Sequence, residues 1–192
     1  MLLNPLRHLS GVRSRNTNWH AEPDRPVATP ATMDQILAHA RDLAVLHGAV
    51  TRGGRNRLLG SFRASVKELF KASEALAIAS RAGRRLPPAA TWLIDNRQLV
   101  RGQVLLIGRN FPASYSRRLP LLRRGSDLGL PRIFTLARDY IVFADGHLDE
   151  ATLTHFIAAY QEIQPLHLSE LWALPILLRL GLIGNYHDLH GA

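Results

Sequence analysis

From Leu171 to Ile183 the chain is apolar at every position except Arg179. The run is too short to cross a bilayer, which takes about 20 apolar residues. Wound as a helix, it presents hydrophobic side chains on every side instead of along one stripe, and such a helix has to be enclosed by other elements. The rest of the fold is therefore read as its wrapping. Ser169 is placed to cap this helix, which is expected to continue to about Asn185. A polar-aromatic junction, Tyr160-Gln161-Glu162-Ile163-Gln164-Pro165, leads into it. Pro165 must end whatever helix precedes it.

The wrapping elements read as helices. Thr32 and Gln35 have capping-box spacing, and Ile36, Leu37, Ala40, Leu43, Ala44 and His47 follow at helical intervals until Gly48. A second helix carries Leu59, Phe62, Val66, Leu69, Ser73, Leu76 and Ser80 on one stripe, with Lys67, Glu68, Lys71 and Glu74 off it. Pro87-Pro88 opens a third, expected to run unbroken to Phe111 and to bury Trp92, Asn96, Leu99, Gln103 and Leu106. A fourth spans about Pro131 to Ala144, followed by an Asp145-Gly146 turn. A fifth starts near Asp149 and carries Leu153, Phe156, Ile157, Tyr160 and Ile163. No convincing strand run and no internal repeat is visible. The expected fold class is all-α, a compact bundle of about six helices with short connections. Residues 1–30 give no usable period and hold Pro5, Pro23, Pro26 and Pro30, so a disordered or loosely docked arm is expected there. Residues 31–192 are read as a single helical domain.

Composition narrows the function classes. A 192-residue chain with 46% hydrophobic and 20% charged residues can build a sizeable core. With no cysteine, disulfides, Fe–S clusters, thiolate zinc sites and cysteine nucleophiles are excluded. No secretory leader is read at the N-terminus, because Arg7 and His8 interrupt the apolar residues between Met1 and Gly11. The expected location is cytoplasmic, with peripheral contact to a bacterial inner membrane as a variant.

Net charge is +9, and Lys67 and Lys71 are the only lysines. The arginines gather at 52/55/57, 81/84/85 and 117/118/123/124, all in expected loops or helix ends. Solvated loop charge is the plainer reading. The functional one is anion binding by Arg117, Arg118, Arg123 and Arg124, with an anionic membrane surface among the partners. Nucleic acid is disfavoured, because Tyr115 is the one aromatic well placed among these arginines.

Motifs for catalysis are missing. There is no G-x-S-x-G elbow, no H-E-x-x-H and no phosphate-cradling glycine loop. Glu162 and Glu170 are the carboxylates one would propose for glycoside chemistry, but such pairs arise by chance in any chain of this size. His187 and His190 would face one way on a helix, and a polar tail is preferred to a metal site. No cofactor and no metal is expected. Tyr160, Gln161, Gln164, Glu170, Trp172 and Arg132 have the chemistry of a sugar or partner rim, since aromatic faces with amides, carboxylates and arginine contact carbohydrate. The structural alternative is that the junction's amides close the adjoining helix ends.

Four segments in order resemble the N-terminal region of the cyclic β-1,2-glucan synthases, very large bacterial glycosyltransferases. They are Arg84-Arg85-Leu86-Pro87-Pro88-Ala89-Ala90-Thr91-Trp92-Leu93-Ile94-Asp95-Asn96; Phe111-Pro112-x-x-Tyr115-x-Arg117-x-Leu119-Pro120; Pro131-Arg132-Ile133-Phe134-x-Leu136-Ala137; and the stretch from Tyr160 to Pro175. The resemblance covers residues 34–186, and departs at Phe143-Ala144-Asp145-Gly146-His147, where the family has a polar stretch. It implies kinship with inner-membrane enzymes that polymerise glucose from UDP-glucose, whose catalytic modules lie downstream of the matched region. The expectation is a non-enzymatic helical scaffold or interaction module, accessory to β-glucan synthesis, that docks on a protein partner or on itself. The alternatives are an arginine-rich anion or nucleic-acid binder, or a truncated glycosyltransferase remnant. No small-molecule ligand is specified.

Overall fold

The computed structural model describes residues 32–144, 146 and 148–188, with side chains up to 184. The expected arm over residues 1–30 and the His187/His190 pair lie outside the described residues and side chains. Helix α1, Met33–His47, begins where the spacing indicates. The Thr32 hydroxyl accepts from the Gln35 N–H at 3.3 Å, and the Gln35 side chain accepts from the Thr32 N–H at 2.8 Å. Gly48, at φ 50°, ends the helix.

The remaining elements are β1 (Val50–Thr51), α2 (Leu58–Arg81), α3 (Pro88–Asp95), α4 (Arg97–Asn110), α5 (Ala113–Ser116), β2 (Leu121–Leu122), α6 (Arg132–Phe143), α7 (Glu150–Gln161) and α8 (Leu168–Asp188). The all-α reading holds: the described residues form helices apart from one antiparallel ladder, Val50 opposite Leu122 and Thr51 opposite Leu121. At two residues per strand it carries no alternation that a sequence could reveal. Its use is positional. It fixes the loop after α1 against the loop before α6, and a Cβ at Gly53 would collide with the Arg117 carbonyl oxygen. That backbone approach requires glycine.

Helix α8 is the hub, packing most extensively on α6 and also on α2 and α4, while α1 lies along α7. Gly181 lets α8 close on Ile141 of α6. Buried Ile133, Leu136, Ala137, Tyr140, Phe156, Ala173 and Leu177 form the centre.

The expectations are corrected in four places. The third helix is two, divided at Asn96, where the backbone turns to φ −98° and ψ 13°; the Asn96 side-chain amide donates to the Trp92 carbonyl, which also accepts from the Asn96 N–H. The buried face is also rotated. Val100, Ile107 and Phe111 are inside, whereas Trp92, Leu99 and Leu106 are exposed. The start of α8 is not capped by Ser169. Glu170 reaches back to the His167 N–H at 2.9 Å, and the Ser169 carbonyl accepts from the Tyr115 hydroxyl. Finally, α8 is enclosed on most of its circumference but not all, because Leu168, Trp172, Pro175, Arg179 and Leu182 make a solvent-facing stripe.

Candidate functional site

Five polar side chains meet inside the bundle: His47 from α1, Arg132 and Thr135 from α6, Tyr160 from α7 and Glu170 from α8. Each is at most 6% exposed. Burial at this level is tolerated only when the hydrogen-bonding groups are matched.

Arg132 and Glu170 form a fork-to-fork pair, Nε to Oε1 at 3.1 Å and Nη2 to Oε2 at 2.6 Å. The pair also fastens the α7–α8 junction. Arg132 Nη2 donates to the Pro165 carbonyl at 3.1 Å, and Glu170 Oε2 accepts from the His167 N–H. One carbonyl and one N–H at the proline break thus each find a side-chain partner. The closure comes from this pair, whereas the sequence reading assigned it to the amides of Gln161 and Gln164. Burial alone would make Arg132 release its proton more easily, but hydrogen bonding and attraction from Glu170 outweigh it and hold the guanidinium charged.

A second set of bonds has a definite polarity. The Thr135 hydroxyl donates to the Arg132 carbonyl at 2.7 Å, so its oxygen is left to accept from His47 Nε2 at 3.3 Å. His47 Nδ1 is then the acceptor for the Tyr160 hydroxyl at 2.8 Å. The Tyr160 oxygen in turn interacts with the Arg132 guanidinium, which closes a ring of contacts on the residue where it began. Burial, then the charges of Arg132 and Arg138, push the His47 pKa down to about 4, so the imidazole is neutral near pH 7. Burial also raises the Tyr160 pKa, and the phenol keeps its proton.

Chemically this arrangement is closed. The Glu170 carboxylate is committed to Arg132 and a helix end, and Glu162 is exposed and pairs with Arg41 at 2.7 and 3.1 Å. Arg41 and Glu162 favour each other's charged forms, which holds the Glu162 carboxyl below its usual range. Among the described residues there is no group of three or more His, Asp or Glu side chains placed to hold a metal.

The residues read as a rim are separated by the fold. Arg132, Tyr160 and Glu170 are inside, Gln161 and Gln164 are half-buried, and Trp172 is 76% exposed. Sequence reasoning did not single out His47 and Thr135. The signal for His47 was present, since it occupies a core position on the apolar stripe of α1.

Two surface features accompany the buried ring. An apolar groove of about 250 Å³ lies between α3–α4 and the end of α8, with Trp92, Leu99, Gln103, Arg179 and Leu182 along it. On another face, the arginines after β1 meet those flanking β2. Gly53 packs on the Arg117–Arg118 backbone, and Asn56 bonds to Ser116. Arg117, Arg118, Arg123 and Arg124 are all exposed there. Among the described residues no helix is long and apolar enough to cross a membrane.

No family model matches the chain. Over 152 residues it is 32% identical to the cyclic beta-(1,2)-glucan synthase NdvB of Rhizobium meliloti (strain 1021). The match takes in 75% of this chain and 5% of that enzyme, so the chain corresponds to about one twentieth of its relative's length.

Proposed function

We propose that this chain is a non-catalytic helical interaction module, related to one segment of a cyclic β-(1,2)-glucan synthase, that serves β-glucan synthesis by docking on the rest of such an enzyme. The observation that carries this reading is an inversion of polarity. Glu170 of the Tyr160–Pro175 stretch and its partner Arg132 are inside and matched to each other, while Trp92, Leu99 and Leu182 of α3, α4 and α8 face solvent. A glycosyl-transferring or glycoside-cleaving site needs carboxylates free to meet substrate. Glu170 is fully enclosed and bound on both oxygens. An uncovered apolar seam beside a rigid hub is what a docking element requires.

The test has two arms. The chain alone is incubated with UDP-glucose, and neither UDP release nor glucan is expected. UDP release above background that disappears in Glu170→Gln would overturn the non-catalytic reading. In the second arm, a cyclic β-(1,2)-glucan synthase lacking the matched segment is assayed with and without the chain. Restored glucan output, lost when Leu99→Glu and Leu182→Glu are introduced, is expected. Unchanged output on adding the wild-type chain would overturn the docking.

A further inference from the structure

The arginine face has a second ingredient. Arg52 and Arg118 border a groove of about 680 Å³ whose opposite wall is His167, Leu168 and Ser169 at the start of α8. Leu168 is 67% exposed, and Trp172, one turn further along the same stripe, is 76% exposed. On the other side of the same loops, Arg55 and Arg57 flank Leu128, itself 57% exposed. Among the described residues, none of Arg52, Arg55, Arg57, Arg118, Arg123 or Arg124 has a carboxylate at ion-pair distance. The nearby Asp127 is engaged by Arg138.

Unneutralised arginine interleaved with protruding leucine and a tryptophan is chemistry suited to a lipid headgroup boundary. Guanidinium groups meet phosphate, aliphatic side chains enter the acyl edge, and the indole sits between the two. Single-stranded nucleic acid would instead want several aromatic faces among the cations, and the side chains that alternate with them here are leucines. We propose that this face is a peripheral docking surface for an anionic membrane, with Arg52 and Arg118 engaging headgroup phosphates and Leu168 and Trp172 inserted at the interface. The inference is independent of the α4–α8 seam and of any role in glucan synthesis.

The experiment is co-sedimentation of the full chain with vesicles of phosphatidylcholine containing phosphatidylglycerol, beside vesicles of phosphatidylcholine alone. The chain is expected to sediment with the anionic vesicles, and less so as salt is raised. In a Trp19→Phe/Trp92→Phe background Trp172 is the sole tryptophan, and its emission should shift to the blue on binding. The double variant Arg52→Gln/Arg118→Gln should lower the partition coefficient about 25-fold, roughly fivefold per charge removed. These positions are exposed, so its thermal midpoint should match that of the parent. Equal binding to both vesicle types, absence of binding, or an unshifted Trp172 would overturn the proposal. So would duplex DNA displacing the chain from the vesicles at the same salt, which would assign the face to nucleic acid.

Discussion

His47 shows how the buried ring constrains a single residue. In the folded chain both ring nitrogens are matched only if the imidazole is neutral, as acceptor from Tyr160 and donor to Thr135. An added proton would place a second N–H donor against the Tyr160 hydroxyl and beside Arg132. Burial first, and the charge of Arg132 second, hold the folded pKa at about 4 against 6.5 for an exposed histidine. Between those values the unfolded chain holds the extra proton, so the contribution is complete above about pH 6.5 and declines as pH falls. About 3 kcal/mol should be lost by pH 4. Urea unfolding across that range should show this slope in the wild type and a flatter one in His47→Gln. Gly53 is a second residue-scale constraint. Gly53→Ala must move the Arg117 carbonyl away, at a cost of about 1–3 kcal/mol in unfolding free energy, whereas Gly60→Ala, which meets nothing, should be neutral or stabilising.

At the scale of elements, α8 has to be understood by its faces. Leu177 is fully enclosed, and Leu177→Ala should remove about 2–5 kcal/mol. Trp172→Gln, on the solvent stripe, should change the unfolding midpoint little, within about 0.5 kcal/mol. Denaturant melts of the two variants would separate an exposed stripe from a core one. Much of this layer was legible in the sequence. The Thr32–Gln35 cap, the start of α7 at Asp149 and the span of α6 follow from local chemistry that needs no partner. The failures share a cause. In α3 and α4, both Trp92–Leu99–Leu106 and Leu93–Val100–Ile107 recur at helical spacing, and only the position of α8 decides which of them is covered. The Asn96 break is a change of backbone angles at a single residue, with no proline or glycine beside it to mark it in the sequence. The β1–β2 ladder is too short to show a period.

At the scale of the molecule, one site was half visible. The Tyr160–Pro175 stretch was conspicuous as sequence, and Pro165 announced a broken helix in need of closure. That Arg132 would perform the closure was invisible, because it lies 38 positions from Glu170 and no short-range pattern links them. The same distance is what makes the pair useful. It ties α6 to the α7–α8 junction, and the His47 branch carries the tie to α1. A buried pair of this kind adds little net stability compared with apolar residues of similar volume, but removing one partner strands the other. The architecture therefore holds a specific arrangement of helices, with an apolar seam and an arginine face displayed on its outside.

The most direct test of that claim is a double-mutant cycle by urea unfolding, with Arg132→Met, Glu170→Leu and the pair combined. Each single variant is expected to lose about 3–5 kcal/mol. The combined variant should lose far less than the sum, because no charge is left unpaired in the interior. Strictly additive losses, within about 0.5 kcal/mol, or single variants as stable as the wild type, would contradict the account.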